Sequence, residues 1–237
     1  MSYPPIRAVL FDWGGTLTPH YEVDFVGNWR CAASLLAPTE RVEEVAQALL
    51  DAEMLTWQQT VEGFLSTRTE AIIAGVVDHF NLDADTDSHS AALTAYLTAW
   101  TPHTFVRKET VEVLAQLRER GLVTGLLSNT HWPSHWHERW LERDGVVGLL
   151  DRRVYTCELT HMKPHALAFE TLLDMVQVPA NEAVFVGDRQ LDDIDGANAL
   201  GMRTVHIDNG ITPAGISEPT ARITQLAELI EWVDQWR

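Results

Sequence analysis

Cysteine and long apolar runs are scarce in this chain of 237 residues. Its two cysteines, Cys31 and Cys157, lie far apart and no C-x-x-C spacing occurs, which excludes a disulfide framework and a cysteine zinc site. No apolar run is long enough to span a membrane, and no basic segment followed by an apolar one predicts a signal peptide. We therefore expect a cytoplasmic protein with reduced thiols and no membrane partner.

Positive charge is also in short supply. Seventeen lysines and arginines face 34 acidic residues, which leaves a formal net charge of −17. Such a chain repels nucleic acid, and no basic stripe offsets the repulsion. Only Lys108 and Lys163 are lysines, so a lysine in a functional position is easy to notice. The expected partner is a small molecule, and the protein itself is expected to be a monomer or a homodimer.

The apolar pattern predicts two kinds of structure. Between residues 18 and 102, helical spacing recurs in four segments and predicts an inserted helical domain. In residues 1–17 and 103–237, strand segments alternate with helices; one helix stops at Gly121, a typical C-terminal glycine. This alternation predicts an α/β fold with a doubly wound parallel sheet covered on both faces. The predicted insert helices are Val23–Leu36, Thr39–Val61, Ser66–Phe80 and Asp87–Trp100; the predicted strands are Ile6–Phe11, Val123–Leu127, Arg153–Thr156, Ala183–Val186 and Thr204–Ile207; the last predicted helix runs from about Ile223 to Trp236.

The first predicted strand ends in a carboxylate and a glycine-rich turn, Asp12–Leu17. Gly14 and Gly15 allow backbone amides to approach a ligand closely, as in loops that bind phosphate. A carboxylate at such a turn can serve as a nucleophile or as a magnesium ligand. Ligands of open parallel sheets bind at the carboxyl ends of the strands, so polar groups at those ends should meet. The polar groups at or just beyond such ends are Asp12, Ser128, Lys163 and Asp188.

The order and spacing of these groups resemble the haloacid dehalogenase-like (HAD) hydrolase superfamily, in the class with a helical cap inserted after the first motif. The resemblance covers almost the whole chain and implies a Rossmann-like core, residues 1–17 and 103–237, with a cap at 18–102. The segments that carry it are Asp12–Leu17, Leu126–Asn129, His161–Pro164 and Val186–Asp193.

The resemblance also implies an activity and a set of roles. The implied activity is that of a Mg²⁺-dependent phosphatase, which cleaves a small phosphorylated metabolite through an aspartyl-phosphate intermediate. The implied metal ligands are Asp12, the Gly14 carbonyl, Asp188 and Asp193, with Asp192 as a competitor for the last position. The implied catalytic residues are Asp12 as nucleophile, Thr16 orienting the loop through its hydroxyl, Ser128 and Lys163; the implied substrate-binding residues are Gly14, Gly15, Ser128, Asn129 and Lys163.

Gly14 departs from the family's pattern. Family phosphatases carry an aspartate at this position, which protonates the leaving group and later activates water. Such acid–base assistance is worth roughly 10²–10⁴-fold in rate. His20, Glu22 or Asp24 could take the role, although solvated hinge or cap positions are favoured for all three. Alternatively, the leaving group needs no proton, as in an acyl phosphate.

Gly14 leaves other functions open. A metal-independent 2-haloacid dehalogenase also lacks that aspartate, but Gly187-Asp188 together with Asp193 favours a metal. A weakly or non-catalytic phospho-ligand-binding protein would explain Gly14, but it has no need of a nucleophile. A third activity of the family, cleavage of a carbon–phosphorus bond, requires a lysine in the cap. Residues 18–102 contain no lysine, so the sequence disfavours this activity.

The insert holds 13 acidic residues and three arginines, which disfavours highly anionic substrates. Arg30 is its best candidate for substrate contact, although a surface ion pair is the favoured interpretation. Trp13 is expected to form one wall of the pocket, whereas Trp57 and Trp100 are expected in the core. The histidine-rich segment His131–His137 has no recognised ligand spacing, so a solvated helix start is favoured over a metal site.

Overall fold

The computed structural model describes residues 4–210 and 216–237; for residues 59–62 it describes the backbone only. Within these residues one sheet of six parallel strands has the order β3-β2-β1-β4-β5-β6. Parallel neighbours require crossover connections, and helices lie in the connections between successive strands from β1 to β5. The strands are β1 (Ala8–Phe11), β2 (Val123–Ser128), β3 (Arg152–Tyr155), β4 (Ala183–Gly187), β5 (Arg203–Ile207) and β6 (Ala221–Ile223).

Alternate residues of the central strand β1 pack into two separate hydrophobic cores. Val9 and Phe11 of β1 pack into the larger core, whereas Ala8 and Leu10 pack into a second core on the opposite face. All four residues of β1 are buried, so the strand is a continuous apolar run. The period of two along the strand produces this division. The predicted doubly wound α/β fold, covered on both faces, is therefore confirmed.

Helices between β1 and β2 form the predicted insert, which we call the helical insert (α1–α4). Asp24 caps the first by accepting a hydrogen bond from Gly27 N at 2.9 Å, and Asp85 caps the fourth through Ser88 N at 2.9 Å. These caps satisfy amides that have no partner within the helix. The insert helices are α1 (Phe25–Leu36), α2 (Val42–Gly63), α3 (Thr69–Phe80) and α4 (Thr86–Trp100); the remaining helices are α5 (Thr110–Glu119), α6 (Ser134–Arg143), α7 (Ala166–Val176), α8 (Gly196–Ala199) and α9 (Leu229–Trp236).

The C-terminal prediction was wrong in one respect. The last helix was expected to begin near Ile223, but β6 ends there and α9 begins at Leu229. In β6, Ala221 and Ile223 are buried while Arg222 is exposed, which is the alternation of a strand. Three residues are too few for this period to stand out in the sequence. No helix among the described residues has the length and apolar character needed to cross a membrane.

The register of the sheet decides where the site lies. Phe11 of β1 pairs with Leu126 of β2 on one side and with Val186 of β4 on the other. The chain leaves β1 toward β2 in one direction, while β4 and β5 extend the sheet in the other. The carboxyl end of β1 is therefore a topological switch point, where open α/β sheets bind their ligands.

Candidate active site

The turn that follows β1, Trp13–Leu17, requires glycine at one position. Gly15 has a φ of +81°, and a Cβ on it would overlap the Asp188 carboxylate. Both the positive φ and the close approach exclude other residues there. Arg107 holds the turn from the far side, where its Nε donates to Thr16 O at 2.9 Å and its Nη2 to Gly15 O at 2.8 Å.

Gly14 is not constrained in this way. Its φ of −76° and ψ of 120° suit any L-residue, and a Cβ would meet no atom within 4 Å. The residue is exposed and lines the cavity above Asp12. Neither the backbone conformation nor the packing therefore explains why glycine stands at this position.

The hydroxyl that orients the turn belongs to Thr18. It accepts a hydrogen bond from Gly15 N and donates one to Trp13 O, both at 3.3 Å. The sequence analysis assigned this role to the Thr16 hydroxyl, which is buried and has no hydrogen-bond partner among the described residues. That part of the prediction is corrected, because Thr18 and not Thr16 makes these side-chain hydrogen bonds within the turn.

Lys163 joins two carboxylates at the base of the site. Its Nζ donates to Asp12 Oδ1 and to Asp193 Oδ1, both at 2.7 Å, and its side chain is 1 % exposed. The second oxygen of Asp193 accepts from Arg189 N at 2.9 Å. Asn129 fixes the lysine loop, since its side chain donates to Lys163 O and accepts from Lys163 N, each at 2.9 Å.

The three aspartates at the strand ends form a buried acidic cluster. Oxygens of Asp12, Asp188 and Asp193 all lie within 4.8 Å of one another. Burial raises the pKa of Asp12 against the opposing effect of Lys163, and burial together with the charges of Asp12 and Asp193 raises that of Asp188. Burial alone would lower the pKa of Lys163, but the two carboxylates outweigh it and raise that pKa. One lysine therefore leaves a negative charge in the cluster that a cation would offset.

Oxygen ligands are the donors that Mg²⁺ prefers, so the chemistry of this cluster fits that ion. Gly15 has no side chain to fill the space against Asp188, which keeps that carboxylate accessible. Asn209 Nδ2 donates to Asp188 Oδ2 at 2.8 Å and holds its orientation. Asp192, the competing candidate, forms an ion pair with Arg189 at 3.1 Å and lies outside this cluster.

A cavity of about 360 Å³ lies above the carboxyl ends of β1, β2 and β4. Most of the predicted site residues line it, whereas Thr16 and Asp193 lie behind its wall. Ser128 is buried, with its side chain on the cavity wall. The predicted site residues on the wall are Asp12, Gly14, Gly15, Ser128, Asn129, Lys163 and Asp188.

Aromatic side chains form much of the rest of the cavity wall. Trp13 lies on it as expected. Trp57 and Trp100, which were expected in the core, are half-buried and also lie on the wall, although Trp100 packs against the larger core as well. Trp57 stacks on His131 with a centroid distance of 3.9 Å, and Trp100 contacts Trp132 at 4.8 Å. Trp57 and Trp100 belong to the helical insert, and their partners belong to the loop after β2. The helical insert and the core domain therefore both contribute aromatic side chains to the cavity wall.

The prediction of a solvated helix start at His131–His137 is partly wrong: α6 begins at Ser134 and His135 is exposed, but the other two histidines are buried. His131 and His137 are each 1 % exposed, because the helical insert and the core cover them. Burial lowers the pKa of His131 to about 4 and that of His137 to about 3, so both rings are neutral at pH 7. Among the described residues no hydrogen-bond partner reaches either ring nitrogen of His131.

Glu53 of α2 is a cavity residue that the sequence analysis missed. It is 7 % exposed, and its two oxygens accept hydrogen bonds from Trp29 Nε1 at 2.8 Å and from the Tyr96 hydroxyl at 2.9 Å. A clue was available, because Glu53 follows Val45 and Leu49 at four-residue intervals on the apolar stripe of α2.

The other candidates in the insert have structural roles or lie at the cavity rim. Arg30 forms an exposed ion pair with Glu43 at 2.6 Å, which confirms the favoured interpretation. Asp24 caps α1, and Glu22 is exposed and does not line the cavity. Of the three candidate replacements for the missing acid, His20 alone lines the cavity among the described residues.

The family model for haloacid dehalogenase-like hydrolases matches residues 6–201. The chain belongs to this family. The HAD-like hydrolase is 27 % identical to a ribulose-1,5-bisphosphate 5-phosphatase of Halopiger xanaduensis over 210 residues, 85 % of this chain and 84 % of that one. It is 28 % identical to a glyceraldehyde 3-phosphate phosphatase of Methanopyrus kandleri over 216 residues, 86 % and 85 % of the two chains.

Solved structures of this family share the fold of the HAD-like hydrolase. A 2-haloacid dehalogenase from Pseudomonas syringae superposes with a TM-score of 0.69 and 21 % identity, over 98 % of this chain and all of that one. A HAD phosphatase from Thermococcus onnurineus superposes with a TM-score of 0.63 and 21 % identity, over 96 % and 98 % of the two chains. At this identity the similarity establishes the fold and leaves the reaction to the site.

Proposed function

We propose that this HAD-like hydrolase is a Mg²⁺-dependent phosphatase that acts on a small phosphorylated metabolite with Asp12 as nucleophile. The observation that carries the proposal is the lysine bridge, in which Lys163 Nζ binds Asp12 and Asp193 beside Asp188. A carboxylate nucleophile approaching a phosphate needs its charge offset, and this cluster provides for that. The phosphatases among its relatives support the same activity.

Each residue has a defined part in the reaction. An Asp12 oxygen attacks phosphorus, and the bond between phosphorus and the leaving oxygen breaks with its electron pair going to that oxygen. Ser128 and Lys163 bind the transferring phosphoryl oxygens, and Asn129 holds the lysine loop in place. Water then attacks the aspartyl phosphate, releases inorganic phosphate and restores the Asp12 carboxylate.

Asp12, Asp188 and Asp193 would hold Mg²⁺, with the Gly14 carbonyl as a further ligand. When bound, the ion neutralises phosphate oxygens and the carboxylate cluster. Asp193 also binds Lys163 and Arg189 N, so it positions the lysine in addition. The helical insert completes the cavity above these groups and limits the access of water to it.

Gly14 supplies no proton to the leaving group. The proposed substrates are therefore phosphorylated metabolites whose leaving group departs without a general acid, such as acyl or aryl phosphates. His20, on the cavity wall, is the alternative acid. This preference concerns the leaving group alone. Asp12 is required as nucleophile whichever leaving group the substrate carries. A metal-independent dehalogenase is the second candidate, since displacement of a halide needs no general acid.

The test is phosphate release from alkyl, aryl and acyl phosphates, with Mg²⁺ and with EDTA. We expect metal-dependent release that falls at least about 10³-fold in Asp12→Asn, because an amide is not a nucleophile of comparable strength. Asp51→Asn is the matched control, since Asp51 is an exposed aspartate on α2. Retained activity in Asp12→Asn contradicts the proposal, and so does metal-independent halide release from 2-haloacids without phosphate release.

A further inference from the structure

The insert side of the cavity carries a buried carboxylate with no positive partner. Glu53 lies on the cavity wall, and Trp29 and Tyr96, which donate to it, lie behind the wall. Each of its oxygens accepts one hydrogen bond, so each keeps an acceptor position. Burial raises the pKa of Glu53, whereas the two hydrogen-bond donors oppose that rise by stabilising the ionised form. Among the described residues no lysine or arginine forms an ion pair with it.

The positive side chains near the cavity are engaged elsewhere. The insert contains no lysine, and its arginines pair with exposed glutamates or a carbonyl: Arg30 with Glu43, Arg41 with Glu44, and Arg68 with Cys157 O. On the core side, Lys163 binds its two aspartates and Arg189 binds Asp192. A buried carboxylate without a counter-charge is costly, and a ligand can supply that charge.

The surfaces around Glu53 suit an organic cation. Trp57, Trp100 and Trp132 line the cavity with it, and aromatic faces attract ammonium groups. His131 also lines it, with both ring nitrogens free of hydrogen bonds within the described chain. A neutral imidazole keeps one acceptor nitrogen for an N–H donor. Carboxylate, imidazole and indole faces together form a binding site for an alkylammonium group.

We propose that the cavity selects a phosphoester whose leaving group carries an alkylammonium, with Glu53 as its counter-ion. This specificity rests on the proposed function for the phosphate end of the ligand. The phosphoryl group lies at Asp12 and Lys163, and the ammonium lies against Glu53 and the tryptophan wall. The acidic insert, with 13 acidic residues against three arginines, has the charge that such a ligand favours and that an anionic leaving group opposes.

The kinetic test compares substrates that differ in this group alone. 4-(2-Aminoethyl)phenyl phosphate carries the ammonium on an aryl leaving group that departs without a general acid, and 4-propylphenyl phosphate replaces the ammonium with a methyl group of similar size. We expect kcat/KM for the aminoethylphenyl ester to be at least tenfold higher, and the ratio to fall to near one in Glu53→Gln. Asp51→Asn, which removes an exposed charge from the same helix, should keep the ratio. An unchanged ratio in Glu53→Gln overturns the proposal.

A binding test needs no turnover. Butylammonium chloride should change the tryptophan fluorescence saturably, whereas 1-butanol at the same concentration should not. We expect the dissociation constant to rise at least tenfold in Glu53→Gln and in Trp57→Leu. Glu53 accepts hydrogen bonds from two buried residues, so near-UV circular dichroism checks that the Glu53→Gln variant keeps the parent fold. Trp57→Leu, which replaces a partly exposed ring, tests the cation site independently of Glu53.

The two tests separate this inference from the proposed function. Saturable butylammonium binding that depends on Glu53, without phosphate release from any ester, rejects the phosphatase and supports the cation site. Phosphate release without a preference for the aminoethylphenyl ester and without butylammonium binding rejects the cation site and supports the phosphatase. Equal butylammonium binding by the parent and by Glu53→Gln also rejects the cation site.

Discussion

Two adjacent glycines in the first loop have different reasons for being glycine. Gly15 needs a positive φ and lies against Asp188, whereas Gly14 has an ordinary backbone conformation and open space around it. The sequence presents them as one motif. Neither strain nor packing requires glycine at position 14, so the backbone and its surroundings accept a larger side chain there.

Gly14→Asp should therefore fold normally and add an acid beside the nucleophile. We expect it to increase hydrolysis of alkyl phosphates by at least roughly 10²-fold, the lower end of the range for general acid catalysis. Rates with acyl phosphates should change little, because those leaving groups need no proton. Gly14→Asn is the matched control, because its side chain has the same size but no carboxyl proton to transfer. The interpretation fails if Asn and Asp have the same effect.

Glu53 and His131 show how burial changes the meaning of a residue. A glutamate in a helix and a histidine near a helix start are usually solvated, so the apolar stripe around Glu53 and the histidine-rich segment were not enough to place either residue in the site. Packing of Trp29 and Tyr96 behind Glu53, and of Trp57 on His131, removes both from water. These partners lie far from them in sequence, so their contacts could not be predicted from local patterns.

At the scale of elements, strongly periodic segments were predictable and short ones were not. The strands β1 and β4 are continuous apolar runs, and the insert helices have apolar stripes with capping residues. Gly121, predicted as a helix stop, follows α5 with a φ of +75° and confirms that prediction. By contrast, β6 exists because β5 offers it a pairing edge, which is a tertiary property.

Two glycines with free space around them should respond oppositely to alanine. Gly75, exposed in the middle of α3, should stabilise the protein by about 0.5–1 kcal/mol when changed to alanine, because alanine favours the helix. Gly121→Ala should destabilise it by about 1 kcal/mol, because the left-handed conformation strains a Cβ. Urea unfolding followed by circular dichroism measures both. A loss of stability in Gly75→Ala would contradict the helix-propensity argument.

At the scale of the whole molecule, the insert is bonded directly to the catalytic loops. Leu65 forms a bridge with His161, and Met162 N donates to Phe64 O at 2.8 Å, one residue before Lys163. Thr69 N donates to His131 O at 2.9 Å. Contacts made by the insert therefore reach the two loops that carry the lysine and the aromatic wall.

The free energy of unfolding should depend on pH through His137. Burial lowers the pKa of His137 to about 3. Between about pH 3 and 6.5 this histidine is therefore protonated in the unfolded chain and neutral in the folded protein. Stability from this group is therefore complete above pH 6.5 and is lost as pH falls. Relative to His137→Phe, the parent should lose about 2 kcal/mol between pH 7.5 and 5.

Urea unfolding of both proteins at each pH measures this difference. The raised pKa values of Asp12 and Asp188 act in the opposite direction but are common to both proteins, so they cancel in the comparison. His135→Phe is the control, since His135 is exposed on the same helix. A difference between parent and His137→Phe that stays constant with pH would contradict the argument.

The sequence by itself determined the order of strands and helices as far as β5, the presence of helices inserted between β1 and β2, and the four polar motifs. Strand and helix periods are local, and the carboxyl ends of parallel strands necessarily converge on one edge. Only the tertiary structure decided that Thr18 orients the turn, that Gly14 is unconstrained and that Glu53, Trp57 and His131 share a cavity. Those facts depend on how the insert packs over the sheet edge, where contacts join residues far apart in the chain.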